Sequence, residues 1–419
     1  MKRIKILYTI GTLDVGGTEQ QLVKLVGRLN RERFEPAVCS LTPGGALAPV
    51  LKQMGVAVHV ISFKGFRTGG MGLVTGLPGV LRTLFEFWRL LRAERPDIVH
   101  GMLFFAYVVA TISARAARVP IVVSSRRSLG LFKADKPHYL LLERIINRMT
   151  DLILANSEAV RQDAIHQEGL RPADVVVIYN GLDVQSWMES PDSRLRASLS
   201  LGKGPVIGVV ANFIHYKGHT IFFEAWSDVL QKYPHAVALL VGDGVLRTEV
   251  ETKAAQMGLM PSLRFLGVRD DVPKLLALVD IYVHPSLQEG HSNAILEAMA
   301  AAKPVVACAV GGNVETVTAG QTGLLVPPGD SRALAEAIIR LLDNPDEATR
   351  FGAAARRVVA ERFDERTMAA RYEEVYERLV AEKTEGRVRV SVPIPFPPST
   401  QTAATIEGRS GHVRDRGQD

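Results

Sequence analysis

The sequence predicts an α/β protein of two doubly wound parallel-sheet domains that face each other across a cleft. Three observations carry this expectation. Short β-branched runs alternate with stretches of helical periodicity almost from end to end, the pattern of strands whose crossover helices cover both sheet faces. The alternation breaks once, at Asn180-Gly181-Leu182-Asp183, and restarts only after a polar, weakly patterned stretch at 185–204 that reads as an interdomain linker. A chain of 419 residues is also long enough to bury more than one sizeable core.

In chain order, the first half predicts strands at 4–9, 36–41, 56–61, 98–100, 121–125, 152–155 and 175–179, with helices at 19–29, 77–95 and 139–149 among them. The second half predicts strands at 206–211, 236–241, 263–266, 281–284, 305–307 and 323–326, with helices at 220–232, 272–278, 293–302 and 333–342. The expected organisation is a first domain over 1–183, a linker over 184–204 and a second domain over 205–365. An amphipathic closing helix follows at 366–383. The tail from 384 to 419, rich in Pro, Ser, Thr and Gly, is predicted to be disordered.

Composition narrows the partners. A formal charge of +6 attracts phosphates, anionic lipids or nucleic acid, and no zinc finger, RNA-binding aromatic signature or basic helix supports the last. The two cysteines, Cys39 and Cys308, lie far apart in β-like runs, so core packing explains both and a reducing, cytoplasmic setting fits. The run that begins at Ile4 is too short for a signal peptide. The longest apolar stretches, 71–81 and 102–112, fall short of the roughly 20 residues of a spanning helix. The chain is therefore expected to be soluble or attached to a membrane surface, such as the inner face of the cytoplasmic membrane. The stretch 81–95 mixes Phe85, Phe87 and Trp88 with Arg82, Arg89 and Arg92. Such a helix either lies on an anionic bilayer or packs its aromatic face on the sheet.

Ligands of doubly wound sheets bind beyond the carboxyl ends of the strands, so the loops after strands are where chemistry is expected. The first such loop carries Gly16 and Gly17, which let backbone approach a ligand, and Thr18, a candidate helix cap. It is not GxGxxG, which argues against a dehydrogenase. Another loop, after the first strand of the second half, carries Asn212, His215, Lys217 and Gly218, where the lysine supplies a point charge for a diphosphate. The sharpest signal follows the strand at 281–284: Glu289-Gly290-His291-Ser292-Asn293, running into an apolar helix with Glu297 one turn in. Ser292 or Asn293 caps that helix, its free N–H groups suit a phosphate, and Glu297 can accept two ribose hydroxyls. Glu289 is placed to reach sugar hydroxyls. Taken singly, Glu289 and Glu297 also read as loop and surface carboxylates. His100, which the pattern puts at the end of a strand on the cleft side, is either an acceptor or donor contact or a structural histidine.

With these motifs in order, the chain resembles a retaining glycosyltransferase of the GT-B fold, family 4. The resemblance rests on Val15 to Glu19, Tyr179 to Asp183, Lys217-Gly218, Leu240 to Gly244, Phe265 to Gly267, the pair Glu289 and Glu297, and Gly323 to Asp330. It implies that Glu297 holds the ribose and Glu289 the donor sugar. Backbone N–H groups of His291, Ser292 and Asn293 would lie near sugar and phosphates, Lys217 would neutralise the diphosphate, and Gly16 and Gly17 would close over it. Two departures stand out. Asn212 occupies a position where the family commonly has arginine, so one diphosphate cation is missing and His215 or a first-domain arginine would substitute. Arg126 stands where a histidine is common: it either hydrogen-bonds the donor sugar, supplies the missing charge, or is a surface arginine.

The implied function is transfer of a sugar, with retention, from a nucleotide-diphosphate sugar to a glycan or lipid-linked acceptor in cell-surface polysaccharide or glycolipid biosynthesis, with UDP ahead of GDP. No Asp-x-Asp triplet occurs, so neither a metal nor any other cofactor is expected. A nucleotide-sugar 2-epimerase and a non-catalytic nucleotide-sugar-binding protein are the competing readings.

Overall fold

The computed structural model describes residues 2–62, 77–133 and 136–385. Nearly all of the predicted tail, from 386 onward, lies outside the described residues, as do residues 71–76 of the first apolar stretch. Among the described residues thirteen strands form two sheets in which every paired neighbour runs parallel. The first sheet comprises β1 (Ile4–Ile10), β2 (Phe34–Ser40), β3 (Ala57–Val60), β4 (Ile98–Met102), β5 (Ile121–Arg126), β6 (Leu152–Ala155) and β7 (Val175–Val177), in the order β3-β2-β1-β4-β5-β6-β7. The second comprises β8 (Val206–Val210), β9 (Val237–Val241), β10 (Leu263–Gly267), β11 (Ile281–His284), β12 (Val305–Cys308) and β13 (Gly323–Val326), in the order β10-β9-β8-β11-β12-β13. The order reverses between β1 and β4 in one sheet and between β8 and β11 in the other. The loops after β1, β8 and β11 are thereby brought to the crevices where doubly wound sheets bind ligands.

Central strands of such sheets are covered on both faces, which is why they read as continuous Val, Ile and Leu runs. One face of the first sheet packs Leu22, Leu25 and Val26 of the helix Gly17–Arg28 together with Met368, Tyr372 and Tyr376 of the helix Glu365–Thr384. The closing helix thus returns to the first domain. Its crossing lies beside the earlier one, with Leu182 N–H donating to Phe363 O (2.9 Å) and Glu365 N–H to Leu182 O (3.3 Å). The opposite face packs Phe87 and Leu91 of the helix Leu77–Glu94 and Ala106, Val109 and Ala110 of the helix Phe104–Ala116. In the second domain Trp226, Phe222 and Phe223 of the helix His219–Lys232 are fully buried, each worth about 1.5–3 kcal/mol of apolar burial. Both cysteines are buried and unpaired, Cys39 in β2 and Cys308 in β12. Among the described residues no helix is long and apolar enough to cross a membrane.

Several elements extend beyond their expected ends. The segment joining the sheets holds a short 3-10 turn, Val184–Trp187, and a helix, Ser193–Ser198. Strand β4 runs two residues past His100, which places that histidine inside the strand rather than at its mouth. In the stretch 81–95 the apolar face is divided: Phe87 and Leu91 pack on the sheet, while Leu81 and Phe85 are exposed.

Candidate active site

The site is built where the loops after β8 and β11 meet. After β11 the chain passes through Pro285 and Ser286 to Glu289 and enters the helix Asn293–Ala300, whose N-cap is Ser292, with Oγ accepting from Ile295 N–H at 3.3 Å. After β8 it forms a 3-10 turn, His215–Lys217, closed by Gly218 at φ +72°, a conformation that favours glycine. A Cβ there would also lie 2.0 Å from Pro285 O, so glycine lets the lysine loop pack directly on the glutamate loop. Lys217 Nζ donates to Glu289 Oε1 at 2.5 Å. His284 Nε2 lies 2.7 Å from the same oxygen.

Because an ionised carboxylate only accepts, His284 carries its proton on Nε2, leaving Nδ1 to accept from Tyr282 O–H at 3.0 Å. Burial alone would raise the Glu289 carboxyl, but Lys217 and His284 outweigh it and hold the group at about 2. His284 itself is pushed down by burial, against the pull of Glu289, and stays neutral. The result is an ionised, nearly buried carboxylate with one oxygen committed to two donors. Its Oε2 makes no hydrogen bond among the described residues.

One turn into the helix, Glu297 is half-buried, and among the described residues no hydrogen bond or ion pair reaches its carboxylate. Burial raises its carboxyl, and Lys24 of the facing helix in the first domain is the one charge that opposes the rise. Burial correspondingly lowers Lys24, with Glu297 the leading counter-charge. A carboxylate in this state gains most from a ligand that brings hydroxyl donors.

The two domains are clasped around this helix end. Asn293 Nδ2 donates to Gly17 O (3.0 Å), while its Oδ1 accepts from Gln21 Nε2 (3.0 Å) and from Asn180 Nδ2 (2.8 Å). Gly16 is the N-cap of the helix Gly17–Arg28, without a side-chain cap, and Thr18 lies inside the helix, so the expected Thr18 cap is not formed. A Cβ on Gly16 would come 2.3 Å from the Glu19 carboxylate, which folds back over the turn. Asn212 is exposed in the β8 loop, and His215 is likewise exposed.

Two expected contacts are placed elsewhere. His100 is fully buried, with Nδ1 2.7 Å from Tyr376 Oη and Nε2 2.7 Å from Ser125 Oγ, beneath the closing helix, and burial pushes it down to about 3. Because β4 continues past it, His100 lies inside the strand and not at the cleft. Arg126 is also buried. Its Nε and Nη2 donate to Glu168 at 3.0 and 2.8 Å, Nη1 to Ser124 Oγ at 3.1 Å and Nη2 to Asn147 Oδ1 at 2.8 Å. Its guanidinium carbon sits 4.1 Å from the Tyr107 ring centroid. Lys133 completes the cluster with Glu143 at 2.5 Å and Glu168 at 3.0 Å. Arg126 is neither a surface arginine nor a free cation for a donor. The cluster lines a cavity of about 290 Å³ whose walls include Phe104, Phe105 and Phe132.

His291 turns its ring toward the hinge, where Nδ1 accepts from Asn180 N–H at 3.2 Å and the ring packs on Tyr179 and Phe363. Burial, aided by Arg127 and Arg362, pushes it down to about 3.

Reading of the sequence missed four participants. His284 is the orienting group for Glu289; its position at the end of a strand, five residues before that glutamate, was a usable signal. Lys24 and Gln21 lie on the helix opened by Gly17 at helical spacing, but their partners are in the other domain. Arg127, next to Arg126, donates through Nη2 to Asn180 Oδ1 at 2.6 Å and acts electrostatically on Glu19 and His291.

Against this geometry the chain matches two family models in tandem. The model described as Glycosyltransferase Family 4 matches residues 15–186, and the one described as Glycosyl transferases group 1 matches residues 204–344. The D-inositol 3-phosphate glycosyltransferase of Streptomyces scabiei is 27% identical over 408 residues, covering 91% of each chain. The UDP-Gal:alpha-D-GlcNAc-diphosphoundecaprenol alpha-1,3-galactosyltransferase of Escherichia coli is 27% identical over 274 residues, 63% of this chain and 71% of its own. The crystal structure of Anabaena Alr3699/HepE in complex with UDP and glucose superposes with a TM-score of 0.78 at 28% identity, covering 90% of this chain and 100% of that one. The same protein in complex with UDP-glucose gives a TM-score of 0.79 at 27% identity, with the same coverage. Two parallel-sheet domains, a site where their crevices meet, and these matches together establish that the chain belongs to the GT-B glycosyltransferases, with a family 4 domain followed by a group 1 domain.

Proposed function

We propose that the protein transfers a sugar from a nucleotide-diphosphate sugar, UDP ahead of GDP, to a glycan or lipid-linked acceptor with retention, in cell-surface polysaccharide or glycolipid synthesis. The observation that carries this reading is Glu289, held ionised between Lys217 and His284 beside the end of the helix Asn293–Ala300. When the bond from the anomeric carbon to the diphosphate breaks, its electrons leave with the diphosphate. That growing negative charge meets Lys217 and the free N–H groups of the helix end, while positive character at the anomeric carbon faces Glu289. Glu297 takes the ribose hydroxyls. UDP and UDP-glucose in the Anabaena complexes, and a UDP-galactose donor with a lipid-diphosphate-linked acceptor in the E. coli relative's name, support the donor and acceptor classes. Retention rests on the family resemblance.

Because Lys217 and the helix end supply the countercharge, no divalent metal is required, and turnover is expected to survive EDTA. The test is a thermal-shift screen of UDP-, GDP-, ADP- and dTDP-sugars with Glu297→Ala alongside. A rise in Tm with UDP-sugars, lost in the variant, is expected. No shift with any of them overturns the donor site. An epimer formed from donor alone would replace transfer with epimerisation.

A further inference from the structure

On the first domain one outer face combines exposed apolar side chains with an excess of basic ones. All strands of that sheet run parallel with their carboxyl ends at the cleft, so each helix that runs antiparallel to them begins at the cleft rim. The helices Leu77–Glu94, Phe104–Ala116 and Pro137–Arg148 do so side by side on one face, with the 3-10 turn Gly130–Lys133 at the rim between the last two. Of the sixteen large hydrophobic residues exposed among the described residues, six lie here: Leu81, Phe85, Leu131, Phe132, Leu141 and Ile145, with Leu141 at 62% the most exposed of them. Exposed apolar residues concentrated in this way mark an interaction surface. Phe132 is also the outer wall of the 290 Å³ cavity, its ring 5.8 Å from that of Phe104.

Beside them exposed cations outnumber acids. Helices Leu77–Glu94 and Pro137–Arg148, with Lys136, carry six exposed cations (Arg82, Arg89, Arg92, Lys136, Arg144, Arg148) against three acids, while Lys133 of the 3-10 turn is buried. All three acids are engaged: Glu86 by Arg82, Glu94 by Lys5, and buried Glu143 by Lys133. Arg144 and Arg148 are exposed on the same stripe as Leu141 and Ile145.

We propose that this rim docks on an anionic lipid bilayer and holds the mouth of the aromatic cavity at the membrane surface, where a lipid-linked acceptor would be presented. Apolar tips with basic flanks suit the boundary between headgroups and acyl chains, and the basic residues complement anionic headgroups. This inference deepens the lipid-linked acceptor reading and rests on it, but its readout does not require turnover.

The test is co-sedimentation of the full chain with phosphatidylcholine vesicles, with and without phosphatidylglycerol. Leu141→Asn/Ile145→Asn and Arg144→Glu/Arg148→Glu are compared with wild type, and the Tm shift with UDP is recorded for each. Wild type is expected to bind only the anionic vesicles, each double variant to lose roughly tenfold or more of that binding, and the UDP shift to be unchanged. Absence of binding, equal binding to neutral vesicles, or binding unaffected by the variants would overturn it. So would a dimer in sedimentation velocity that dissociates in Leu141→Asn/Ile145→Asn without vesicle binding, which would assign the face to a second copy. Vesicle binding without a UDP shift in wild type would instead sink the donor site alone.

Discussion

Two clusters of buried charge stand at the carboxyl ends of the two sheets, and they are built differently. Around Arg126, two cations face two carboxylates, Asn147 and Ser124 take further donors, and Tyr107 covers the guanidinium, with each charged side chain 6% exposed or less. Around Glu289, one lysine and one neutral histidine share a single carboxylate oxygen, Lys217 keeps 17% of its side chain exposed, and Glu297 nearby has no hydrogen bond or ion pair among the described residues. A closed network holds the shape of its loop. An open one keeps its donors and acceptors for a ligand. Buried charge by itself therefore does not single out a ligand site; unspent hydrogen-bonding capacity beside it is what distinguishes the Glu289 cluster.

The largest effect that tests this contrast is on stability. Arg126→Ala leaves Lys133 as the one cation in contact with Glu168 and Glu143 among the described residues, and removing one partner of a buried ionic network costs about 3–5 kcal/mol. Urea unfolding should show that loss, with UDP binding of the folded protein retained. A stable Arg126→Ala protein that no longer binds UDP would break the contrast. Next in size is catalysis. Lys217→Ala and Glu289→Gln are each expected to lower kcat by about 10²–10³, the scale of one lost electrostatic stabiliser, with little change in Tm. Variants that unfold rather than slow would make the second cluster structural like the first.

A smaller effect belongs to Glu297. Its loss removes two charge-assisted hydrogen bonds to ribose, so Glu297→Ala should weaken UDP roughly tenfold to a hundredfold by calorimetry while leaving kcat at saturation within about threefold. Unchanged affinity would move the ribose away from this carboxylate.

The contrast also explains what could be read from the chain alone. The two sheets were legible because buried parallel strands carry their signature locally, as β8 and β9 do in Val-Ile-Gly-Val-Val and Val-Ala-Leu-Leu-Val. The placement of Lys217, Glu289, Ser292 and Glu297 at the carboxyl end of the second sheet was legible because they sit in loops and first turns directly after strands, where position in the chain already implies the cleft. The roles of Arg126 and Arg127 were not. Neighbours at a strand end point to opposite sides of the pleat, and the partner that decides the matter, Glu168, lies 42 residues away. His100 was misplaced by a two-residue error in the length of β4, which is enough to move a side chain from a mouth to a core. The Asn293 clasp to Gly17 and Gln21 joins residues more than 270 positions apart, and no local pattern encodes it.

The finest distinction between the clusters is their response to acid. His284 is held neutral by burial, so below its ordinary value of 6.5 the unfolded chain binds a proton that the native state does not, and stability falls as pH falls. That loss is at most about 1.4 kcal/mol per pH unit for one group. Glu168 is held down to about 2 by Arg126 and Lys133, against the effect of burial, and its unfolded counterpart ionises near 4.5. Its contribution is therefore present above 4.5 and is lost only as pH falls from there toward 2. Urea midpoints at three points across the range pH 7.5 to 5.5 should separate the two. His284→Gln is expected to flatten the decline seen in wild type, which the buried neutral His100, His219 and His291 also feed with values pushed down to about 3, about 4 and about 3. Glu168→Gln should lower stability uniformly and leave the slope unchanged, because Glu168 is ionised in both states throughout that window. A slope that follows Glu168 instead would place the acid-sensitive charge in the closed cluster and reverse the assignment of which site is held ready for a ligand.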